Sequence, residues 1–296
     1  MAHIKPAPDQ LDDWRVFAKR IYKEWDADPG YYALRMTPGV HHDQRLRMAV
    51  AWCAYYNLGI AADASTRQGA AFWNYLEEIY PTAKRATERR HFRGQAGLEA
   101  LKQWRTSWPK PEALAEHMAG QTYFEIRKKG QMVRQYGDYF FWKWCDLNEV
   151  LGMNSPDMTG SEKYSPKLPQ QGAKLIYEMD QGNMVDWPKS APFDPSENSE
   201  LVAATYAEIV RFGQRNKIPP RTTDSRRFDI QEAETVACVY KQMANGSYTY
   251  GTRTAKAVKR LEAANSNTAK KMAATLLELS PYTKIELFAA LDSLTK

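Results

Sequence analysis

From Trp14 onward, apolar residues recur three and four positions apart in one segment after another, and they hardly ever alternate. Trp14, Phe17, Ala18, Ile21, Tyr22 and Trp25 set the pattern, because a 3.6-residue period gathers all six on one helix face. Asp12 or Asp13 can cap this helix, and Asp28-Pro29-Gly30 reads as its end. A second helix, capped by Asp43, carries Leu46, Ala49, Val50, Cys53 and Ala54. A third spans about 68–80, and a fourth bears Leu98, Leu101 and Trp104 and closes at Pro109. Pro111 beyond it suits a first helical turn, where its missing N–H costs nothing.

Residues 123–129 read as helix although Tyr, Phe and Ile also favour strands. Residues 138–151 form an aromatic helix buried on more than one side, and helical periods return at 199–214, 229–243, 253–263, 268–279 and 284–294. A chain patterned this way is expected to be all-α, with about ten helices. Between the two runs, residues 154–195 are rich in Pro, Gly, Ser, Asn and Gln, with only 174–179 as an ordered candidate. The expected organisation is therefore an N-terminal helical lobe over 1–153, a long irregular loop or linker over 154–195, and a C-terminal helical lobe over 196–296.

Composition removes several classes. At 43% hydrophobic and 26% charged, the 296 residues suit a globular protein. No apolar run approaches the ~20 residues of a membrane-spanning helix, and the start of the chain lacks signal-peptide character. Cys53, Cys145 and Cys238 are far apart and form no CxxC pair, which argues for a reducing compartment and against a disulfide scaffold or zinc finger. The net charge is only +6, but basic residues cluster at 84–85, 89–93, 127–129, 211–227 and 253–260. Such clusters suit a polyanion-binding face, or equally a set of solvated helix surfaces.

No Walker A loop, GxGxxG, HExxH or GxSxG is present, so any site is assembled from less distinctive blocks. Trp25 to Arg35 projects two carboxylates, Asp26 and Asp28, two phenols, Tyr31 and Tyr32, and the guanidinium of Arg35. This is an acid/base and stacking corner, or a helix stop with tyrosines packed beneath it. In Trp52-Cys53-Ala54-Tyr55-Tyr56, Tyr55 and Tyr56 point to different faces, so at most one lines a pocket while the other packs. Arg89, Arg90, His91 and Arg93 crowd into five residues, a grip for phosphate with an imidazole able to move a proton. Asp138 opens the aromatic helix, as an N-cap or as a carboxylate aimed into a pocket; Trp142 and Lys143 lie off that helix's main apolar face.

Taken in order, WDADPGYYALR, QRLRMAVAWCAYYNLG, ERRHFRG, YGDYFFWKWCDLNEVLG and AETVACVYKQMANGSYTYG resemble the phage α-glutamyl/putrescinyl thymine pyrophosphorylases, also called amino acid:DNA transferases. The resemblance runs from about Trp14 to Tyr250. Where that family commonly has Gly-Arg, this chain has Gly137-Asp138, which turns attention to another basic residue such as Arg134. The resemblance implies an all-α fold related to helical DNA glycosylases. It also implies a transferase acting on phage double-stranded DNA whose 5-hydroxymethyluracil a separate kinase has pyrophosphorylated. An amino acid or polyamine amine would replace the pyrophosphate, with the base flipped from the duplex to reach it.

On that reading Asp26 or Asp28 takes the amine's proton and His91 supplies one. Arg89, Arg90 and Arg93 clamp the diphosphate; Tyr31, Tyr32 and Tyr55 or Tyr56 hold the base; Arg35 receives an amino-acid carboxylate; and Asp138 lines the substrate pocket. Lys128, Lys129, Arg226, Arg227, Arg253 and Lys256 track the DNA backbone. No cofactor, metal or membrane is called for, and the setting is the cytoplasm of the infected host. The competing expectations are a helical DNA glycosylase that acts on a modified base, and a phage DNA-binding protein without catalysis.

Overall fold

The computed structural model describes residues 11–84, 92–182 and 199–294. These residues form α1 (Trp14–Lys23), α2 (Pro29–Met36), α3 (His42–Tyr55), α4 (Leu58–Ser65), α5 (Gly69–Ile79), α6 (Gly94–Ser107), α7 (Pro111–His117), α8 (Tyr123–Gly130), α9 (Asp138–Val150), α10 (Lys167–Asp180), α11 (Ser199–Arg215), α12 (Ile230–Ala244), α13 (Thr252–Glu262), α14 (Asn267–Leu279) and α15 (Lys284–Ser293). A short 3-10 turn occupies Glu162–Tyr164. The only extended pairing among the described residues is a bridge between Thr122 and Asp157. The protein is all-α, with fifteen α-helices among the described residues rather than about ten. No helix among the described residues is long and apolar enough to cross a membrane.

Much of the added count comes from three segments. Pro29-Gly30 does not end a helix but starts α2, with Pro29 at the first position. A left-handed Tyr56 (φ 49°) closes α3, and Asn57 at once caps α4, its side chain accepting from the amides of Gly59 and Ile60. Residues 167–180, expected to be mostly irregular, form the fourteen-residue α10.

The described residues divide into two compact units, each built from separated stretches of chain. The first lies within Met1–Pro29, Met158–Lys256 and Leu279–Lys296. Its core joins Trp14, Phe17 and Ile21 of α1 to Ile176 of α10, Tyr206 and Ile209 of α11, and Val236 and Tyr240 of α12. Aromatic edges lock these helices: Trp14 meets Phe212 with centroids 5.2 Å apart, and Phe17 meets Tyr240 at 5.2 Å. α10 and α12 touch backbone to backbone, because a Cβ on Gly172 would stand 1.9 Å from the carbonyl oxygen of Ala237.

The second unit comprises Gly30–Asp157 and Ala257–Glu278. Here α3 packs on α4 and α7, α5 packs on α4, α6 and α7, and α8 packs on α9. The run Phe140 to Leu151 is buried throughout, including the polar Lys143, Asp146, Asn148 and Glu149. Asn148 accounts for its own burial. Its amide nitrogen donates to the carbonyls of Met118 (3.1 Å) and Trp144 (2.6 Å), and its oxygen accepts from Gly120 (3.0 Å).

Candidate functional site

In the second unit, four rings from three helices and a helix end converge. Tyr31 of α2 meets Trp52 of α3 edge-on, with centroids 5.0 Å apart. Trp52 stacks on Tyr56 at 5.3 Å and 21°, and Tyr56 meets Tyr139 of α9 at 6.0 Å. Local chemistry fixes each ring. Gly30 makes room for the indole, since a Cβ there would lie 2.6 Å from Trp52 Cζ2. The left-handed turn that ends α3 swings Tyr56 out of the helical path, and Arg260 donates to its carbonyl at 3.1 Å.

One turn beyond Tyr139 the buried ammonium of Lys143 sits 5.3 Å from the Tyr31 ring centre and 5.7 Å from that of Tyr139. Asp146, also buried, lies 3.5 Å from Lys143 Nζ. A cation held among aromatic faces beside a carboxylate can meet a flat π-system and a negative charge together.

In the first unit, Asp26 follows the end of α1 and is fully enclosed. Its Oδ2 accepts from Tyr248 Oη (2.7 Å) and the Gly251 amide (3.0 Å), and its Oδ1 accepts from the amide (2.8 Å) and hydroxyl (2.7 Å) of Thr254. Burial raises the Asp26 carboxyl above its ordinary range, against the pull of these donors and of Arg253. Burial also raises the Tyr248 phenol, and the neighbouring Asp26 adds to the shift. Four donors on one carboxylate make a structural clasp between the end of α1 and the start of α13. Asp28, two residues on, is buried as well.

A second polar assembly in this unit surrounds Glu232, itself fully buried. Glu232 receives Arg221 Nη1 at 3.0 Å and Arg226 Nη1 at 2.6 Å, while its Oε2 accepts the Asp229 amide in a capping box that starts α12. Arg226 also donates to Gln231 and Thr222.

The model of the amino acid:DNA transferase family matches residues 10–247 of this chain. The chain belongs to that family. It is 28% identical over 258 residues to the putrescinyltransferase of Delftia phage PhiW-14, covering 83% of this chain and 77% of the relative. It is 27% identical over 250 residues to the glycinyltransferase of Pseudomonas phage PaMx11, covering 78% and 84%. Membership makes the protein a DNA-modifying transferase.

In this amino acid:DNA transferase, the two adjacent tyrosines of α3 part company. Tyr55 is wholly buried and donates to the Leu76 carbonyl at 2.5 Å, whereas half-exposed Tyr56 joins the ring cluster. Tyr31 belongs to the same cluster; Tyr32 is buried beside it in α2. Arg35 stands half-buried near the end of that helix. Of the basic block, Arg93 is the exposed residue preceding α6, and Arg89, Arg90 and His91 lie outside the described residues.

Asp138 is the first residue of α9, not its cap, which is Gly137; it faces solvent and pairs with Arg127 Nε at 3.3 Å. Arg134, the alternative basic residue, bonds Glu99 at 2.6 Å. Lys128 is exposed, Lys129 donates to the Ala119 carbonyl, and Arg253 donates to the Ala27 carbonyl. Arg226 is spent on Glu232, while Arg227 and Lys256 are exposed.

The sequence reading missed Trp52, Tyr139, Lys143 and Asp146 as site residues. A signal existed for Lys143: a lone cation inside a helix otherwise crowded with Phe and Trp has to find a buried partner. Tyr248 and Thr254 carried no signal, because their role depends on a carboxylate more than 200 residues away.

Proposed function

We propose that this transferase replaces the pyrophosphate of a 5-(pyrophosphoryloxymethyl)uracil in phage DNA with the amine of an amino acid or polyamine. The observation that carries the reading is the ring cluster of Tyr31, Trp52, Tyr56 and Tyr139, with the Lys143 ammonium against Tyr31 and Tyr139, in a chain of this family. Aromatic faces hold an extruded pyrimidine through stacking, at about 1–3 kcal/mol per base. The ammonium beside them meets negative charge as it develops on the departing diphosphate, a task shared with Arg93 and its neighbours Arg89 and Arg90.

In the reaction the exocyclic C–O bond breaks, with its electron pair leaving on pyrophosphate. The resulting electron-poor methylene takes the lone pair of the amine, forming C–N and releasing one proton. Both oxygens of Asp26 are committed to donors, which makes that carboxylate unsuited to take the proton. The phage origin of the relatives supports a reaction in an infected host, and on this reading a separate kinase installs the diphosphate beforehand.

The test is nucleoside mass spectrometry of DNA carrying the pyrophosphorylated base after incubation with the protein and a mixture of putrescine, glycine and other amines. The expected result is one new aminated nucleoside with equimolar pyrophosphate. Base release leaving abasic sites would instead make the protein a glycosylase. Lys143→Met is expected to cut transfer at least about tenfold while DNA binding persists.

A further inference from the structure

Between the end of α11 and the start of α12, residues 214–228 line an open cleft of about 530 Å³. Its wall holds three cations, Lys217, Arg226 and Arg227, against one acid, Asp224, over an apolar floor that includes Pro219 and Phe228. The cations differ in what they do. Arg226 is tied down by Glu232, Gln231 and Thr222, and with the buried Arg221–Glu232 pair it forms a frame beneath the loop. Lys217 and Arg227 are exposed, and neither forms an ion pair among the described residues. Lys217 is further held in a left-handed conformation (φ 51°), with the Ile218 amide closing back onto the Gly213 carbonyl at 3.0 Å. The loop thus presents two cations, unpaired among the described residues, above an apolar floor.

From this arrangement we infer that the cleft seats the sugar-phosphate backbone of the DNA strand, with Lys217 and Arg227 on phosphate oxygens and the sugar faces over Pro219 and Phe228. Arg226 is the positioning residue and makes no phosphate contact itself. The inference rests on DNA being the substrate, and adds where that substrate is held. The chemistry recognised is phosphate oxygen, which a free diphosphate also offers, so the test separates the two.

Fluorescence anisotropy of a labelled, unmodified DNA duplex, titrated at several salt concentrations, reads the contact directly. Lys217→Ala and Arg227→Ala are each expected to weaken binding at least about threefold at low salt. Each is also expected to flatten the slope of log K against log salt by about one, with unchanged melting temperature. Lys23→Ala, an exposed charge removed from α1, serves as the comparison. Equal losses from Lys23→Ala and from the cleft variants would overturn the inference, as would unchanged slopes. Sodium pyrophosphate binding that disappears in the double variant while the DNA slope stays the same would also overturn it. The readout is affinity for plain DNA, so its failure is distinct from failure of the transfer reaction, which is read from nucleoside masses.

Discussion

The hydroxyl of Tyr248 donates a 2.7 Å hydrogen bond to Oδ2 of Asp26, joining two buried groups 222 positions apart in the chain. Gly251 and Thr254 complete the clasp with three more donors. Asp26→Ala would leave all four donors buried without their acceptor. The expected loss is about 3 kcal/mol or more, seen as a lower midpoint in urea denaturation.

The same clasp sets a pH dependence. The ordinary Asp value is 3.8, and burial places the folded-state carboxyl above it. Between those two values the folded protein holds a proton that the unfolded chain has already released. This carboxyl's contribution is therefore full below the unfolded value and declines as pH rises through the folded one. Measured upward from about pH 4, the urea midpoint of wild type should fall relative to that of Asp26→Asn as pH rises, because only wild type carries this falling limb.

Tyr55 and Tyr56 are adjacent, yet their substitutions should have opposite signatures. Tyr55→Phe removes one buried hydrogen bond to Leu76 and is expected to cost about 1 kcal/mol of stability without changing transfer kinetics. Tyr56→Gly relieves a left-handed backbone while deleting a ring of the cluster. It should be more stable than Tyr56→Ala by up to about 1 kcal/mol, yet raise the KM for DNA as much as Ala does. Thermal melts and steady-state kinetics on the three variants check this.

Gly172→Ala tests how closely α10 and α12 approach. The added methyl would fall 1.9 Å from the Ala237 oxygen, and backbone on both sides leaves little room to yield. A loss of at least about 3 kcal/mol is expected, at the upper end for overpacked cores, visible as a large drop in Tm.

Glu232→Gln keeps the size of the side chain but removes the charge shared by Arg221 and Arg226. With Arg221 fully buried, the expected cost is about 3–5 kcal/mol. Reduced melting temperature together with a DNA salt slope altered by loosening of the 214–228 loop would distinguish it from a remote core variant.

Where helices bury one face, residue spacing foretold them well. The expected face of α1 and its buried set share Trp14, Phe17, Ala18, Ile21 and Tyr22. The errors have a common cause. Pro29-Gly30 looked like a stop and Gly172 sat in a segment that looked irregular, yet both glycines lie inside helices, where Trp52 and Ala237 respectively leave no space for a Cβ. A glycine kept for close approach looks the same, in one dimension, as a glycine kept to break a helix. The site followed the same rule: Tyr31 and Tyr56 were visible as aromatic residues in suggestive blocks. Lys143 shows in the sequence only as a lone cation in an aromatic helix, because its place in the site depends on a ring brought from α2 and on Asp146 one turn along its own helix.

Each compact unit draws on residues beyond Lys256 to become whole. On the ribosome, then, early helices such as α1 and α3 emerge long before the partners that complete their units. The growing polypeptide must keep large aromatic surfaces from clumping until the residues beyond Lys256 have been made. A premature stop just after Lys256 would leave both units incomplete at once, instead of sparing the one made first.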